Sequence, residues 1–189
     1  MGDTHERIVK AASALFYRQG IRAVSVDAIA EKAGLTKRSL YYHFRSKDEL
    51  VAAYLEARDR PNLDAFDRWF AEAEGDAGAK VRAVFGHLAR AARSPKWKGC
   101  GFLRSAAELV GMPGHPAIRA ANRHKAGFEA WLADRLAAAG AADAEALAQQ
   151  VRLLMDGAFA VVLLNRDAGY MDRAGEAAEV LVRAGTRAV

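Results

Sequence analysis

The chain has 189 residues, 52% of them hydrophobic, with a net charge of +5, four prolines and a single cysteine, Cys100. This length and apolar content fit one globular domain or two small ones and exclude a disordered chain, and a lone cysteine excludes an intramolecular disulfide framework. Abundant alanine and scarce proline favour helix throughout. With no alternating strand pattern in sight, the expected fold class is all-α, about nine helices by periodicity.

The first predicted helix runs from about Thr4 to Gln19, with Ile8, Ala12, Leu15 and Phe16 as its apolar stripe and Gly20 as its end. Ser25 is a suitable N-cap for the next. Val26, Ile29, Ala30 and Ala33 then give one apolar face, Gly34 suits the left-handed position that closes a helix, and Leu35 plugs the turn. Thr36 caps a second short helix, Lys37 to about His43, in which Leu40 and Phe44 stand four apart on the anchoring face. A third helix starts near Ser46, with Lys47 in its first turn and Leu50, Tyr54 and Leu55 inward.

Pro61 predicts a kink or break near Arg60, followed by a helical piece holding Leu63, Phe66, Trp69 and Phe70. Gly75 to Gly78 reads as a break. Ala79–Arg93 reads as a helix with Val81, Val84, Phe85 and Leu88 inward. Ser94 and Pro95 mark a turn, a shorter helix covers about Cys100 to Val110, and Gly111 to Pro116 is a loop. A long helix from about Ala117 to Ala139 carries Ile118, Phe128, Trp131, Leu132 and Leu136. The last two helices cover about Asp143–Arg166 and Asp172–Ala188. Near the end of the first of these, Ala158 to Leu164 is apolar on every side, which fits either a central core helix or burial by a partner subunit.

The two helices around the turn at Gly34 carry the chemistry of DNA recognition. The first residues of the second helix, Lys37, Arg38 and Ser39, are placed to reach base edges in the major groove. Arginine forks onto guanine, and tyrosine hydroxyls bond phosphate oxygens. Lys47 at a helix start combines a cation with the positive end of a helix dipole, a phosphate clamp. The charge distribution agrees. Residues 1–47 hold nine Lys or Arg against four Asp or Glu, and the other 142 residues balance at nineteen each. All the net positive charge lies in the first quarter, the electrostatic footprint of a nucleic-acid binder.

These residues carry a family resemblance. Ala11, Leu15, Phe16, Gly20, Ser25, Ile29, Ala30, Ala33, Gly34, Leu35, Thr36, Leu40, Tyr41, Phe44, Ser46, Lys47 and Leu50 together closely resemble the N-terminal DNA-binding domain of TetR-family transcriptional regulators. Arg38 departs from the pattern, standing where the family usually has a small residue. The resemblance implies an N-terminal three-helix helix-turn-helix domain over residues 1–47 and a helical effector-binding and dimerisation domain over 48–189. It implies a repressor that binds a palindromic operator in double-stranded DNA as a homodimer, paired through the last two helices (about 143–188), and is released by a small-molecule effector. On this reading Lys37, Arg38, Ser39 and Tyr42 enter the groove, and Ser25, Thr36, Tyr41, His43 and Lys47 hold phosphates.

The resemblance also implies an effector pocket among the C-terminal helices. Its candidates are Trp69, Phe85, Cys100, Phe102, Glu108, Phe128, Trp131, Met155 and Phe159, most of which read equally as core. Glu108, Asn122 and Asp156 are polar groups in apolar stretches, fit to orient a ligand, face solvent or cap a neighbour. Cys100, beside Lys96 and Lys98 near a helix start, is either a small gap-filling residue or a thiol with a lowered pKa. No catalytic motif is present, and the five histidines lack catalytic or metal spacing. No enzyme activity, cofactor or metal is therefore expected. The polar N-terminus is unlike a signal peptide and the longest apolar run is too short to span a bilayer, so the expected location is cytoplasmic, without membrane association.

Overall fold

The computed structural model describes residues 2–186. Among these residues it contains helices and no strand: α1 (Gly2–Gln19), α2 (Val26–Lys32), α3 (Lys37–His43), α4 (Lys47–Glu72), α5 (Ala77–Ala92), α6 (Gly101–Glu108), α7 (Pro116–Ala138), α8 (Ala144–Asn165) and α9 (Gly169–Thr186). The fold is all-α. Residues 187 and 188, expected in the last helix, lie outside the described residues.

Two expected boundaries move. Where Pro61 predicts a kink or a break, α4 continues unbroken through it. Proline removes one backbone hydrogen bond and costs about 3 kcal/mol in a helix interior. Tyr54 and Leu55 before it and Phe66 and Phe70 after it are all buried, and burying four such side chains along one helix outweighs that cost at about 1.5–3 kcal/mol each. The break at Gly75–Gly78 is confined to residues 73–76. Gly75 takes φ +93°, Asp76 caps α5 by accepting the Ala79 N–H at 2.8 Å, and Gly78 is already inside the helix. A Cβ on Gly78 would stand 2.9 Å from the Glu179 carbonyl oxygen, so α5 and α9 meet there backbone to side.

Packing groups the residues up to Pro61 with 100–124, and 62–99 with those from Lys125 onward. In the first unit, Ile8, Ala12, Leu15 and Phe16 of α1 pack with Ile29, Leu40, Phe44, Leu50, Val51 and Leu55, and with Phe102, Leu109 and Ala117. Glu108 closes the α1–α2 turn: its carboxylate accepts the Ile21 N–H at 2.9 Å and the Arg22 N–H at 2.6 Å.

In the second unit α9 lies along both α5 and α8. Phe66, Phe70, Phe128 and Trp131 form an aromatic cluster with centroids 5.2–6.3 Å apart. The Asp67 carboxylate ties α4 to α7 by accepting from Trp131 Nε1 at 2.9 Å and Arg135 Nη2 at 2.7 Å. α8 is 22 residues long and, by length and composition alone, apolar enough to cross a membrane. It buries Leu147, Ala148, Val151, Met155, Ala158, Phe159 and Val162, and Arg152 and Asp156 form ion pairs on it. Its other face, Leu153, Gly157, Ala160 and Leu164, is exposed, as are Ala177, Val180, Leu181 and Ala184 of α9.

Candidate nucleic-acid interface

Local chemistry sets the turn that presents α3. Ser25 Oγ accepts the Ala28 N–H at 3.1 Å and fixes the start of α2. Gly34, at φ +66°, ends α2. Its N–H donates to the Glu31 carbonyl and that of Leu35 to the Ala30 carbonyl, both at 2.9 Å, the paired bonds of a Schellman closure. Arg7 Nη2 adds a donor to the Ala33 carbonyl at 2.7 Å. Thr36 Oγ1 accepts the Ser39 N–H at 3.2 Å and opens α3. Leu40 and Phe44 then sink into the core, and His5 stacks on Phe44 at 4.7 Å.

What remains of α3 faces outward. Lys37, Arg38, Tyr41 and Tyr42 are exposed, and Ser39 and His43 are half-buried. Tyr42 and His43 meet edge to face at 5.4 Å. Lys37 has a partner: its Nζ donates to Asp27 Oδ2 on α2 at 2.9 Å. The Asp27 hydrogen bond first, and its charge second, holds the lysine above its usual range.

The start of α4 carries a reciprocal cap. Ser46 Oγ accepts the Glu49 N–H at 3.1 Å, and the Glu49 carboxylate accepts the Arg45 N–H at 2.7 Å. Lys47 sits half-buried beside it, pulled below the usual lysine range by burial, against the charges of Glu108 and Asp48. Asp48 faces His115. The buried His115 accepts the Ala117 N–H on Nδ1 at 3.0 Å, so its Nε2 carries the proton and donates to Asp48 Oδ1 at 3.2 Å. Both first-turn acids of α4 are thus engaged, and Lys47 carries the charge offered there.

The chain matches the model of the family described as bacterial regulatory proteins, tetR family, over residues 8–54. Among curated proteins it is 41% identical over 59 residues to the HTH-type transcriptional regulator SrpR of Pseudomonas putida, covering 31% of this chain and 28% of that one. It is 34% identical over 90 residues to the HTH-type transcriptional repressor KstR2 of Mycobacterium tuberculosis, covering 44% and 45%. The chain thus spans between about a quarter and a half of these relatives' lengths. Among solved structures, SCO4454, a TetR-family transcriptional regulator from Streptomyces coelicolor, superposes with a TM-score of 0.86 at 30% identity over 99% of this chain and 98% of that one. A regulator from Streptomyces avermitilis (sav143) gives 0.81 at 30% identity over 96% and 97%. The chain belongs to the TetR family.

TetR-family chains are DNA-binding transcriptional regulators, and the likeness covers this chain from end to end. The nine residues singled out for DNA thus lie on α3, at its cap and at the starts of α2 and α4. The effector candidates fall into separate places. Phe85, Phe128, Trp131 and Met155 come together with Phe70, Val81, Val84, Leu132 and Val151 around a void of about 10 Å³, no larger than one water. Trp69 stacks on His87 at 4.7 Å, and Phe159 lies beside Trp97 at 6.3 Å. Phe102 stacks on His124 at 3.7 Å in the first unit. Cys100 and Glu108 belong to that unit too, and Glu108 is a cap. Asn122 faces solvent, and Asp156 is held by Lys125 and Arg152. Sequence reasoning missed three participants in the reading head, Arg7, Asp27 and Arg104, and gave a fourth, Glu108, to the effector pocket. Only the helical spacing of Arg104 and Glu108, four apart on α6, hinted that they share a face.

Proposed function

We propose that this TetR-family chain is a repressor that binds a palindromic operator as a homodimer and leaves it when a small molecule binds. Residues 1–47 do the reading, and 48–189 bind the effector and pair the subunits in the cytoplasm. The observation that carries the reading is the presentation of α3. Leu40 and Phe44 anchor it and leave Lys37, Arg38 and Tyr42 exposed and Ser39 half-buried, which supports their entry into the groove, with Ser25, Thr36, Tyr41, His43 and Lys47 around them for phosphates. Lys37 reaches DNA by leaving or sharing Asp27. The exposed apolar stripes of α8 and α9 support pairing through those helices, and pairing suits a two-turn recognition helix that reads few base pairs alone.

The test is selection of random duplex DNA by the purified protein at physiological salt, followed by sequencing. The expected product is a palindrome whose half-sites lie one helical turn, or a multiple of it, apart. Recovery of unrelated sequences would rule out the specific dimeric reader.

A further inference from the structure

Two arginines of the first unit, Arg58 on α4 and Arg104 on α6, meet ring faces and a backbone carbonyl and form no ion pair with a carboxylate among the described residues. The Arg58 guanidinium lies 5.0 Å from the Tyr17 ring centroid and 5.9 Å from that of Tyr54. The Arg104 guanidinium lies 5.9 Å from the Tyr17 ring, and its Nη1 donates to the Tyr17 carbonyl at 2.8 Å. Arg58 Nε is buried without a hydrogen-bond acceptor. A partly buried cation left with ring faces and an orphaned N–H is costly unless an anion completes it.

The other groups at this place are donors as well. A Cβ on Gly101, the first residue of α6, would stand 2.8 Å from Tyr54 Oη and 3.5 Å from Arg58 Nε. Both groups therefore converge on the start of α6, where Cys100 supplies no side-chain cap. Burial, the leading cause, pushes the Tyr54 hydroxyl above its usual range despite the two arginines, so it keeps its proton to donate. Guanidinium forks, a hydroxyl that can donate and the uncapped amides at the start of α6 match the two oxygens of a carboxylate. The flanking rings of Tyr17 and Tyr54 suit a flat organic body.

We propose that Arg58, Arg104 and the Tyr54 hydroxyl form a binding site for a small organic carboxylate, the effector class of this regulator. The effector role rests on the proposed repressor function, whereas the binding stands apart from it. Arg104 supplies the coupling. Its bond to the Tyr17 carbonyl ties α6 to the last turn of α1, and a carboxylate that takes Nη1 releases that tie. Ligand and tie compete for one guanidinium, which gives the ligand unequal affinity for the two states.

The full-length protein is titrated with benzoate, and with benzyl alcohol as the uncharged control, at constant ionic strength while thermal unfolding is followed. Benzoate is expected to raise Tm saturably and benzyl alcohol to leave it unmoved. Arg58→Gln and Arg104→Gln are expected to weaken benzoate by about tenfold or more. Arg58→Lys, which keeps the charge without the fork, falls between and serves if the glutamine variant does not fold. No saturable binding by the wild type, or equal binding by correctly folded variants, overturns the site. Release of a selected operator duplex by benzoate from the wild type, but not from Arg58→Gln, which keeps the Arg104 tie, supports the effector role. Binding without release overturns that role alone, and failure to select any duplex falls on the repressor reading, because the Tm titration needs no DNA.

Discussion

Gly34 holds φ +66°, and both bonds that close the α2–α3 turn depend on that conformation. A Cβ there would meet only Arg7 Nη2, at 3.4 Å, so the obstacle to a side chain is the backbone angle. Gly34→Ala is expected to cost about 1–2 kcal/mol in denaturant unfolding and to weaken binding to all DNA sequences alike. An unchanged unfolding midpoint would contradict the strain argument. The contact residues separate differently. Arg38 is exposed in the first turn of α3, where side chains reach base edges, so Arg38→Ala should change which sequences are selected. Lys47 stands at the start of α4. Lys47→Ala should therefore weaken every sequence similarly and lower the slope of log affinity against log salt by about one. If Arg38→Ala weakened all sites equally, its base-reading role would be wrong.

Between elements, Asp67 is one tie whose strength depends on pH. The Trp131 hydrogen bond first, and that of Arg135 second, holds its carboxyl below the usual aspartate range. A lowered folded-state value means that the stabilisation is present above the unfolded value of about 3.9 and is lost as pH falls through the folded one. Asp67→Asn should flatten the acid limb of stability against pH while leaving the helix content at pH 7 unchanged. An acid limb identical to wild type would remove Asp67 from the account. The elements themselves were legible where their causes are local. Ser25, Gly34 and Thr36 act on neighbours within a few residues, so caps and turn could be read from spacing. Pro61 misled because the decision lay in burial of Tyr54, Leu55, Phe66 and Phe70 along one helix, which overrides a local break signal. Glu108 was read among effector candidates, yet it caps a turn 86 and 87 residues away in sequence, and nothing in a linear pattern brings those groups together. The Arg58–Arg104 cluster was illegible for the same reason.

For the whole molecule, charge and apolar surface divide the labour. The net +5 lies in the first 47 residues, so long-range attraction draws the reading head to DNA and the rest adds no net pull. Large apolar side chains of α8 and α9 stand exposed: Leu153 at 72%, Leu164 at 80% and Val180 at 67%. They recur with Gly157, Ala160, Ala177 and Ala184 at spacings of three and four, which makes one stripe on each of two adjacent helices. Small residues between larger ones allow close approach of a second copy, and the same patch on each subunit fits a two-fold axis. Leu164→Glu combined with Val180→Glu places charge on each stripe without touching the buried face of either helix. The double variant is expected to sediment as a folded monomer at concentrations where the proposed wild-type dimer holds together. Because two linked heads gain about a hundredfold or more over one, it should also lose about that much affinity for the selected palindrome while keeping weak binding to a single half-site. A variant that stayed dimeric would move the interface off α8 and α9, and one that became monomeric with undiminished affinity would separate DNA reading from pairing.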